Sequence, residues 1–309
     1  MKVLVTGGAG FIGSHIVDAL LDRNHEVHIL DDLSSGFRDR VNPDAAFHEL
    51  DIRSSEAADL VRAEGCEVMI HHAAQMDVRR SVADPSFDAD VNVRGFLNIV
   101  EAGRTSGLRK VVFASTGGAI YGEPDFVPQD ETHALNPISP YGITKLTTEK
   151  YLYFYLVQYG LQHVALRYAN IYGPRQNPHG DAGVVAIFCQ RLLKGDPVTI
   201  FGDGSQTRDY VYVGDVVEAN LRAIEHSNSG VINIGTGVET SVNELYSILA
   251  DHLGVSTPAN FEPARPGEQK RSVLDNTLAA TSLNWRPAVS IEEGLRKTAD
   301  WFKNQMVLS

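Results

Sequence analysis

The segment that most constrains this chain is Gly7-Gly8-Ala9-Gly10-Phe11-Ile12-Gly13, set between an apolar run and an amphipathic one. Val3-Leu4-Val5-Thr6 reads as a short buried strand. Phe11 to about Arg23, with Ile12, Ile16, Ala19 and Leu20 on one side, reads as a helix. The glycines between them satisfy G-x-G-x-x-G from Gly8, and a wider form from Gly7 through Gly10 to Gly13. Either grouping serves the same physical ends. Glycine permits a tight turn, lets the backbone approach a pyrophosphate, and leaves room for the helix, whose N-terminus faces the phosphates, to pack on the strand. A strand before and a helix after separate such a loop from an ordinary turn. The sequence thus predicts a strand–helix–strand unit that binds a dinucleotide.

The next strand, Glu26 to Leu30, ends in Asp31, close to the position about 20 residues beyond the glycines where a carboxylate meets the adenosine ribose. NAD is expected rather than NADP. Asp31 would repel a 2′-phosphate, and Asp32-Leu33-Ser34-Ser35-Gly36 offers no cation before Arg38. Asp51-Ile52 follows the third strand, where the aspartate suits the adenine edge and equally suits the start of a turn.

Further strand patterns end at Leu50, His71, Ser115 and Tyr168, with helical patterns between most of them. This alternation predicts an α/β fold with a doubly wound, Rossmann-like parallel sheet over residues 1–170. The regularity weakens after Gly173. Pro174, Pro178, Gly180 and Gly183 mark a long loop, Val184 to Lys194 reads as a helix, and Thr199 to Val213 holds a glycine turn between short strands. Ser241 to Leu253 and Ile291 to Lys303 read as amphipathic helices, and Pro258 to Gly267 as a connector. Residues 171–309 are expected to form a smaller mixed substrate lobe, with some interleaving of segments.

Composition narrows the partners. With 309 residues, 43% hydrophobic and 21% charged, the chain reads as a soluble globular protein with a sizeable core. A net charge of -12 argues against nucleic acid or an anionic membrane, so an anionic ligand must be gripped locally. No apolar run approaches the roughly 18 residues of a membrane span, and a first strand at Lys2 leaves no room for a signal peptide; a cytoplasmic location is expected. Cys66 and Cys189 have no metal-like spacing and read as two buried thiols. His71 and His72 end a strand with no third ligand nearby, so packing or a backbone-side cofactor contact is expected of them, and no metal.

Ser139-Pro140-Tyr141-Gly142-Ile143-Thr144-Lys145 carries the candidate chemistry. Pro140 suits a first helical position, Ser139 can cap it, and Tyr141 and Lys145 then share a face. A phenol beside an ammonium can make a base, although the spacing alone is common.

Taken together with Thr6 to His15, His72-Ala73-Ala74, Ala114-Ser115-Thr116, Leu166-Arg167-Tyr168-Ala169-Asn170 and Arg208-Asp209-Tyr210-Val211, these residues make the chain resemble the extended short-chain dehydrogenases. The closer likeness is to the bacterial UDP-glucose 4-epimerases, over essentially the whole length. The resemblance implies an NAD site at Gly7, Gly10, Phe11, Ile12, Gly13, Asp31, Asp32, Ser35, Gly36, Asp51, Ile52 and His72. It adds Ala73, Ala74 and Asn92 along the dinucleotide, and Ser115, Tyr168, Tyr141 and Lys145 about the nicotinamide. It implies a UDP-sugar site in which Asn170 and Arg208 meet the diphosphate, Thr199 and Phe201 border the uracil, and Arg265 with Glu268 holds phosphate and ribose. Val78 and Thr116 would meet the sugar.

The same resemblance makes Tyr141 the base, Lys145 its cation and Thr116 the proton relay. A phenol of pKa about 10 must fall by roughly three units, or about 4 kcal/mol, and Lys145 together with the oxidised nicotinamide supplies positive charge for that. Tyr141 would take the proton from O4′ as C4′ gives hydride to NAD, and the 4-keto sugar would turn over and recover the hydride on its other face. A dehydratase is disfavoured, because Gly117-Gly118 replace the Asp-Glu pair that follows the threonine in such relatives, in a loop that reads one residue longer than in well-known epimerases. A UDP-glucuronic acid epimerase or decarboxylase would use Arg175 toward a carboxylate, a residue that reads equally as structural. A non-catalytic NAD-binding regulator is the remaining alternative. Ser272 falls where a bulky tyrosine restricts relatives to plain hexoses, so N-acetylated UDP-hexosamines are expected to be accepted. A homodimer is expected through helices at about Ser86 to Ser106 and Tyr141 to Tyr159.

Overall fold

The structure, a computed structural model, describes residues 1–179, 183–264 and 269–308, so Gly180 of the expected loop and the expected nucleotide contacts Arg265 and Glu268 lie outside the described residues. The strands in chain order are β1 (Lys2–Thr6), β2 (Glu26–Asp31), β3 (Ala46–Glu49), β4 (Val68–His71), β5 (Lys110–Thr116), β6 (Gln162–Tyr168) and β7 (Asn170–Tyr172). They continue with β8 (Thr199–Phe201), β9 (Thr207–Arg208), β10 (Tyr210–Tyr212), β11 (Gly230–Ile234), β12 (Thr240–Ser241) and β13 (Asn260–Glu262). The helices are α1 (Phe11–Asp22), α2 (Ser55–Glu64), α3 (Val78–Ala83), α4 (Pro85–Ala89), α5 (Phe96–Arg104) and α6 (Gly117–Ile120). After these come α7 (Pro140–Tyr159), α8 (Val184–Lys194), α9 (Val213–Glu225), α10 (Val242–Leu253), α11 (Thr277–Ser282) and α12 (Ile291–Leu308).

Seven strands form one sheet in the order β11-β6-β5-β4-β1-β2-β3, with every neighbouring pair parallel. From β1 the chain runs outward one way through β2 and β3, then returns to the other side through β4, β5 and β6. The order reverses between β1 and β4, where Thr6 stands opposite His71. A crevice outside the carboxyl ends of the strands at such a switch point is where open parallel sheets bind ligands.

Alternation along β1 sends Val3 and Val5 to one face and Leu4 to the other. The first face packs against Ile16 and Leu20 of α1, Val216 and Ala219 of α9, and Trp285. The second takes Val61 of α2, Phe96 and Val100 of α5, and Leu152 of α7. Each fully buried Val, Leu, Ile or Phe among them contributes about 1.5–3 kcal/mol relative to exposure, enough for these faces to fix the register. A separate core joins α8, α10 and α12 through Phe188, Leu192, Leu249 and Leu295.

The expected strands of the first half and the helices at 184–194 and 242–253 are present. The latter opens with a reciprocal cap between Ser241 and Glu244. Two features fill in what the sequence left open, the interleaving across residue 170 and the pairing of the short strands, and three differ from expectation. The seventh strand, β11, and α9 come from beyond residue 170 and complete the sheet layers. Asp77 to Arg80, expected as a solvated loop, instead opens α3, because the Asp77 carboxylate accepts the Arg80 N–H at 3.0 Å. The connector at 258–267 contains β13, which pairs with β8. The short strands between 199 and 213 do not pair with one another: β9 joins β12 and β10 joins β7. The helix expected at 86–106 is divided by a π-helical turn at Asp90–Gly95. Both cysteines are buried thiols, and no described helix is long and apolar enough to cross a membrane.

Candidate active site

The glycine loop stands at the switch point, and its packing shows why it must lack side chains. A Cβ on Gly7, at φ +71°, would lie 2.7 Å from the Ala73 nitrogen, and one on Gly13 would lie 2.2 Å from the Gly7 carbonyl oxygen. Gly10 caps α1 in extended conformation without a side-chain cap. The first-turn N–H groups, those of Phe11 and Ile12 among them, therefore face the loop without a side-chain acceptor, a cradle that fits a dinucleotide diphosphate. Ala73, two residues beyond β4, closes it, its N–H donating to Thr6 Oγ1 at 3.2 Å, and Ala74 follows half-buried.

Asp31 ends β2 with one carboxylate oxygen accepting Ala9 N–H at 3.0 Å and the other Leu33 N–H at 2.8 Å. Burial raises its pKa against those two bonds. A Cβ on Gly36 would come within 2.9 Å of the same carboxylate, so Gly36 packs closely against it, and Ser35 before it is exposed. Asp32 accepts the Ser34 N–H and hydroxyl and shapes the turn. Asp51 accepts Arg53 N–H, as a residue starting a turn does, and is ion-paired to the Arg53 guanidinium at 2.5 Å. The side chain of Ile52 lies in the core against Gly95, with its carbonyl held by Asn98.

Across the crevice, α7 begins as the sequence predicts. Pro140 takes the first turn and the Ser139 hydroxyl accepts Gly142 N–H at 3.2 Å. Gly142 packs so tightly that a Cβ would stand 2.4 Å from the Ala119 carbonyl oxygen. This contact wedges the start of α7 onto α6, the single turn whose N-cap is Thr116. Tyr141 and Thr116 are thereby set on two touching elements. The Lys145 ammonium lies 5.7 Å from the Tyr141 ring centroid and donates to the Ala114 carbonyl at 2.8 Å. Burial lowers the Lys145 pKa to about 8, while the charges of Asp88 and Glu149 oppose the fall.

Those two carboxylates belong to buried networks that sequence reading did not single out. Glu149 pairs with Arg167 through two bonds of 3.0 and 2.7 Å and accepts the Ser115 hydroxyl at 2.6 Å. Arg167 continues to the Tyr121 hydroxyl at 2.9 Å, which donates to Asn233 of β11 at 2.7 Å. Asp88, fully buried, accepts from Gln75, Asn92 and the Thr144 hydroxyl. Asn92, expected along the dinucleotide, has its amide engaged by Gln75, Asp88 and Thr144. Two signals were available: Glu149 follows Lys145 by one helical turn, and Arg167 interrupts an apolar strand, where a charge requires a partner.

Tyr168, at the end of β6, is bonded to Asn220 of α9, and burial raises its pKa. Its ring stacks on His72, whose pKa burial lowers to about 4. His71 is bonded to Thr6 Oγ1 at 2.8 Å among Phe96 and Phe113, with its pKa well below the ordinary value. Both histidines are neutral packing groups beside the cradle.

The residues expected at the nucleotide lie on or beside the short strands. Thr199 and Phe201 flank the buried Ile200 and share the half-buried face of β8. Arg208 on β9 donates to the Thr207 carbonyl at 2.8 Å. Asn170 is exposed at the start of β7, opposite Tyr210, and Val78 is exposed at the first turn of α3. Ser272 is buried, its carbonyl accepting Asp209 N–H at 2.9 Å. Asp209 fixes this region, accepting from Thr236, Gly237 and Leu274. Arg175 pairs with Asp18 of α1 at 2.8 Å, beside the bond from His15 to the Pro174 carbonyl. Its reading as a structural residue is the one this geometry supports. Gly117 packs on Leu274, whereas a Cβ on Gly118 would face open space.

The sequence pattern of the NAD dependent epimerase/dehydratase family matches residues 3–235. The UDP-glucose 4-epimerase of Mycolicibacterium smegmatis is 48% identical, covering 99% of this chain and 99% of its own. The crystal structure of UDP-glucose 4-epimerase from Thermotoga maritima with UDP-glucose is similar at a TM-score of 0.97 and 48% identity, over 99% of this chain and 100% of that one. The Thermus thermophilus UDP-glucose 4-epimerase complex with NAD has a TM-score of 0.91 at 47% identity, over 98% and 99% of the two chains.

Proposed function

Because this chain belongs to the NAD dependent epimerase/dehydratase family, we propose that it acts as a UDP-glucose 4-epimerase, inverting C4′ of a UDP-hexose through a transient 4-keto sugar. The observation that carries the reading is the start of α7: Tyr141 on a capped first turn, Lys145 buried beneath it, and Thr116 on the turn wedged against Gly142. Gly7 to Gly13, Asp31 and Ala73 would hold NAD, which supplies a hydride acceptor and donor when bound. Tyr141 Oη takes the proton from the C4′ hydroxyl and returns it to the inverted oxygen. Lys145 favours the phenolate by its charge, and the Thr116 hydroxyl orients the same sugar oxygen. Asp88 and Glu149 hold Lys145 protonated in a site whose burial works the other way.

UDP is gripped on the far side of the cleft by Asn170, Thr199, Phe201 and Arg208 in this reading, with Val78 near the sugar. An arginine suits the diphosphate, since its fork can meet two phosphate oxygens. Anchoring by the nucleotide leaves the hexose to turn over. Residues 1–170 with the later strand β11 and helix α9 form the cofactor lobe, and the rest of 171–309 the substrate lobe. Small Ser272 favours acceptance of N-acetylated sugars. The exposed Tyr153, Phe154 and Val157 of α7 favour a homodimer along that helix, and two unpaired thiols suit the cytoplasm.

Purified enzyme incubated with a panel of UDP-sugars and no added NAD tests the assignment. UDP-glucose and UDP-galactose should interconvert with no net redox change. A dehydrated 4-keto product, or turnover only of UDP-glucuronic acid, would overturn it.

A further inference from the structure

We propose that His28, His48 and Glu64 form a binding site for a divalent transition-metal ion, with zinc the best chemical match, at the opposite edge of the sheet from α7. The residues come from β2, β3 and the last turn of α2, and one ligand atom of each lies within 4.8 Å of the others. Among the described residues this is the group of histidines and carboxylates able to converge on one ion.

The distances match tetrahedral zinc. Bonds of about 2.0–2.1 Å place neighbouring tetrahedral ligands roughly 3.3–3.4 Å apart. His28 Nδ1 stands 3.2 Å from His48 Nε2 and 3.6 Å from Glu64 Oε2. A water would complete the shell. Soft sulfur is not required, and the mixed nitrogen and oxygen donors suit zinc better than magnesium or calcium.

The surroundings orient the first imidazole for this task. His28 Nε2 lies 3.3 Å from Glu26 Oε1, and a proton held there leaves Nδ1 as a lone-pair donor. A carboxylate behind the far nitrogen is the usual support of a metal-bound histidine. His48 is half-buried in the same cluster. The competitor is also visible: the Lys2 ammonium pairs with Glu64 Oε2 at 2.6 Å and lies 3.5 Å from Glu26. Metal and ammonium would exchange on one carboxylate, so the lysine sets the affinity.

Cobalt(II) titration of the chelator-treated, NAD-loaded full chain is the test. The expected result is a four-coordinate visible spectrum that saturates at one equivalent, is displaced by zinc, and accompanies a rise in melting temperature. His48→Gln and Glu64→Gln should abolish it, and Glu26→Gln should weaken binding by about 10–100-fold. Lys2→Gln should tighten binding, a change that a purely structural cluster would not produce. Metal-free His48→Gln should melt with the metal-free parent and keep its epimerase rate, separating ligand loss from misfolding. Absence of a saturable spectrum, or its survival in His48→Gln, would overturn the site and leave the two imidazoles as a hydrogen-bonded pair.

Discussion

Two arginine–carboxylate pairs of nearly the same geometry stand in the two regions that the proposed function makes the walls of a cleft. Arg167 meets Glu149 through Nε and Nη2 at 3.0 and 2.7 Å, with side chains 3% and 4% exposed. Arg271 meets Glu239 through the same two nitrogens at 2.8 and 2.5 Å, with side chains 54% and 27% exposed. The bonds are alike and the surroundings are not. Behind the first pair stand Ser115, Tyr121 and Asn233, a closed chain of donors and acceptors joining β5, β6 and β11 under Lys145. Behind the second lies a two-stranded ladder and Thr207. In the proposed function the first wall holds a proton at a fixed place, and the second grips a nucleotide while the sugar swings.

The largest effect that can break this division is Tyr141→Phe. Loss of the phenolic proton carrier should lower kcat by about 10²–10⁴-fold, with NAD content and melting temperature close to the parent. Near-normal turnover in steady-state assays would remove the base from the first wall altogether.

Stability should separate the two ion pairs next. Glu149→Gln leaves the Arg167 charge buried without its partner and should cost about 3–5 kcal/mol in urea unfolding. Arg271→Gln removes an exposed, solvent-screened pair and should change the unfolding midpoint far less, with the difference shrinking as salt is added. Equal losses would mean that burial does not distinguish the walls. The exposed pair carries a pH signature: Arg271 bonding depresses the Glu239 pKa to about 2, so its small contribution is present above the unfolded value near 4.5 and disappears as pH falls toward 2.

A gentler change probes the charge on Lys145. Burial already lowers its pKa to about 8, and the Asp88 carboxylate opposes that fall. Asp88→Asn should let the pKa drop further, so the ammonium is lost at lower pH. The alkaline limb of kcat should therefore move toward neutrality. The amide keeps an acceptor for Gln75 or Asn92 and offers a donor to the Thr144 hydroxyl, so folding should survive. A limb that stays in place would show that Asp88 shapes the network without tuning Lys145.

The contrast also explains what could be read in the sequence. The glycine loop, Asp31, the Ser139 cap and the Tyr141–Lys145 face are local, each set by neighbours within a turn or two, and each stands where the pattern puts it. Asp88 with Thr144, and Glu149 with Ser115, are separated by 56 and 34 residues, and only the fold brings them together. β13 was hidden for another reason. Its three residues are all exposed, without alternation to betray a strand, and pairing with β8 alone defines it. Asp77 could have been recognised as a cap for α3, but the charged run after it resembled a solvated loop.

The smallest predicted effect is one of selectivity on the second wall. Ser272 is buried, with its backbone held by Asp209, so a larger side chain there must displace neighbours or extend toward the cleft. Overpacking alone costs about 1–3 kcal/mol, which a melting curve would reveal. If the side chain extends toward the sugar, Ser272→Tyr should suppress turnover of UDP-N-acetylglucosamine while UDP-glucose epimerisation persists. Ser272→Ala, which adds no bulk, should leave the ratio of the two rates unchanged. Parallel loss of both substrates in a well-folded Ser272→Tyr protein would place the tyrosine across the whole sugar site, and an unchanged ratio would remove Ser272 from selectivity.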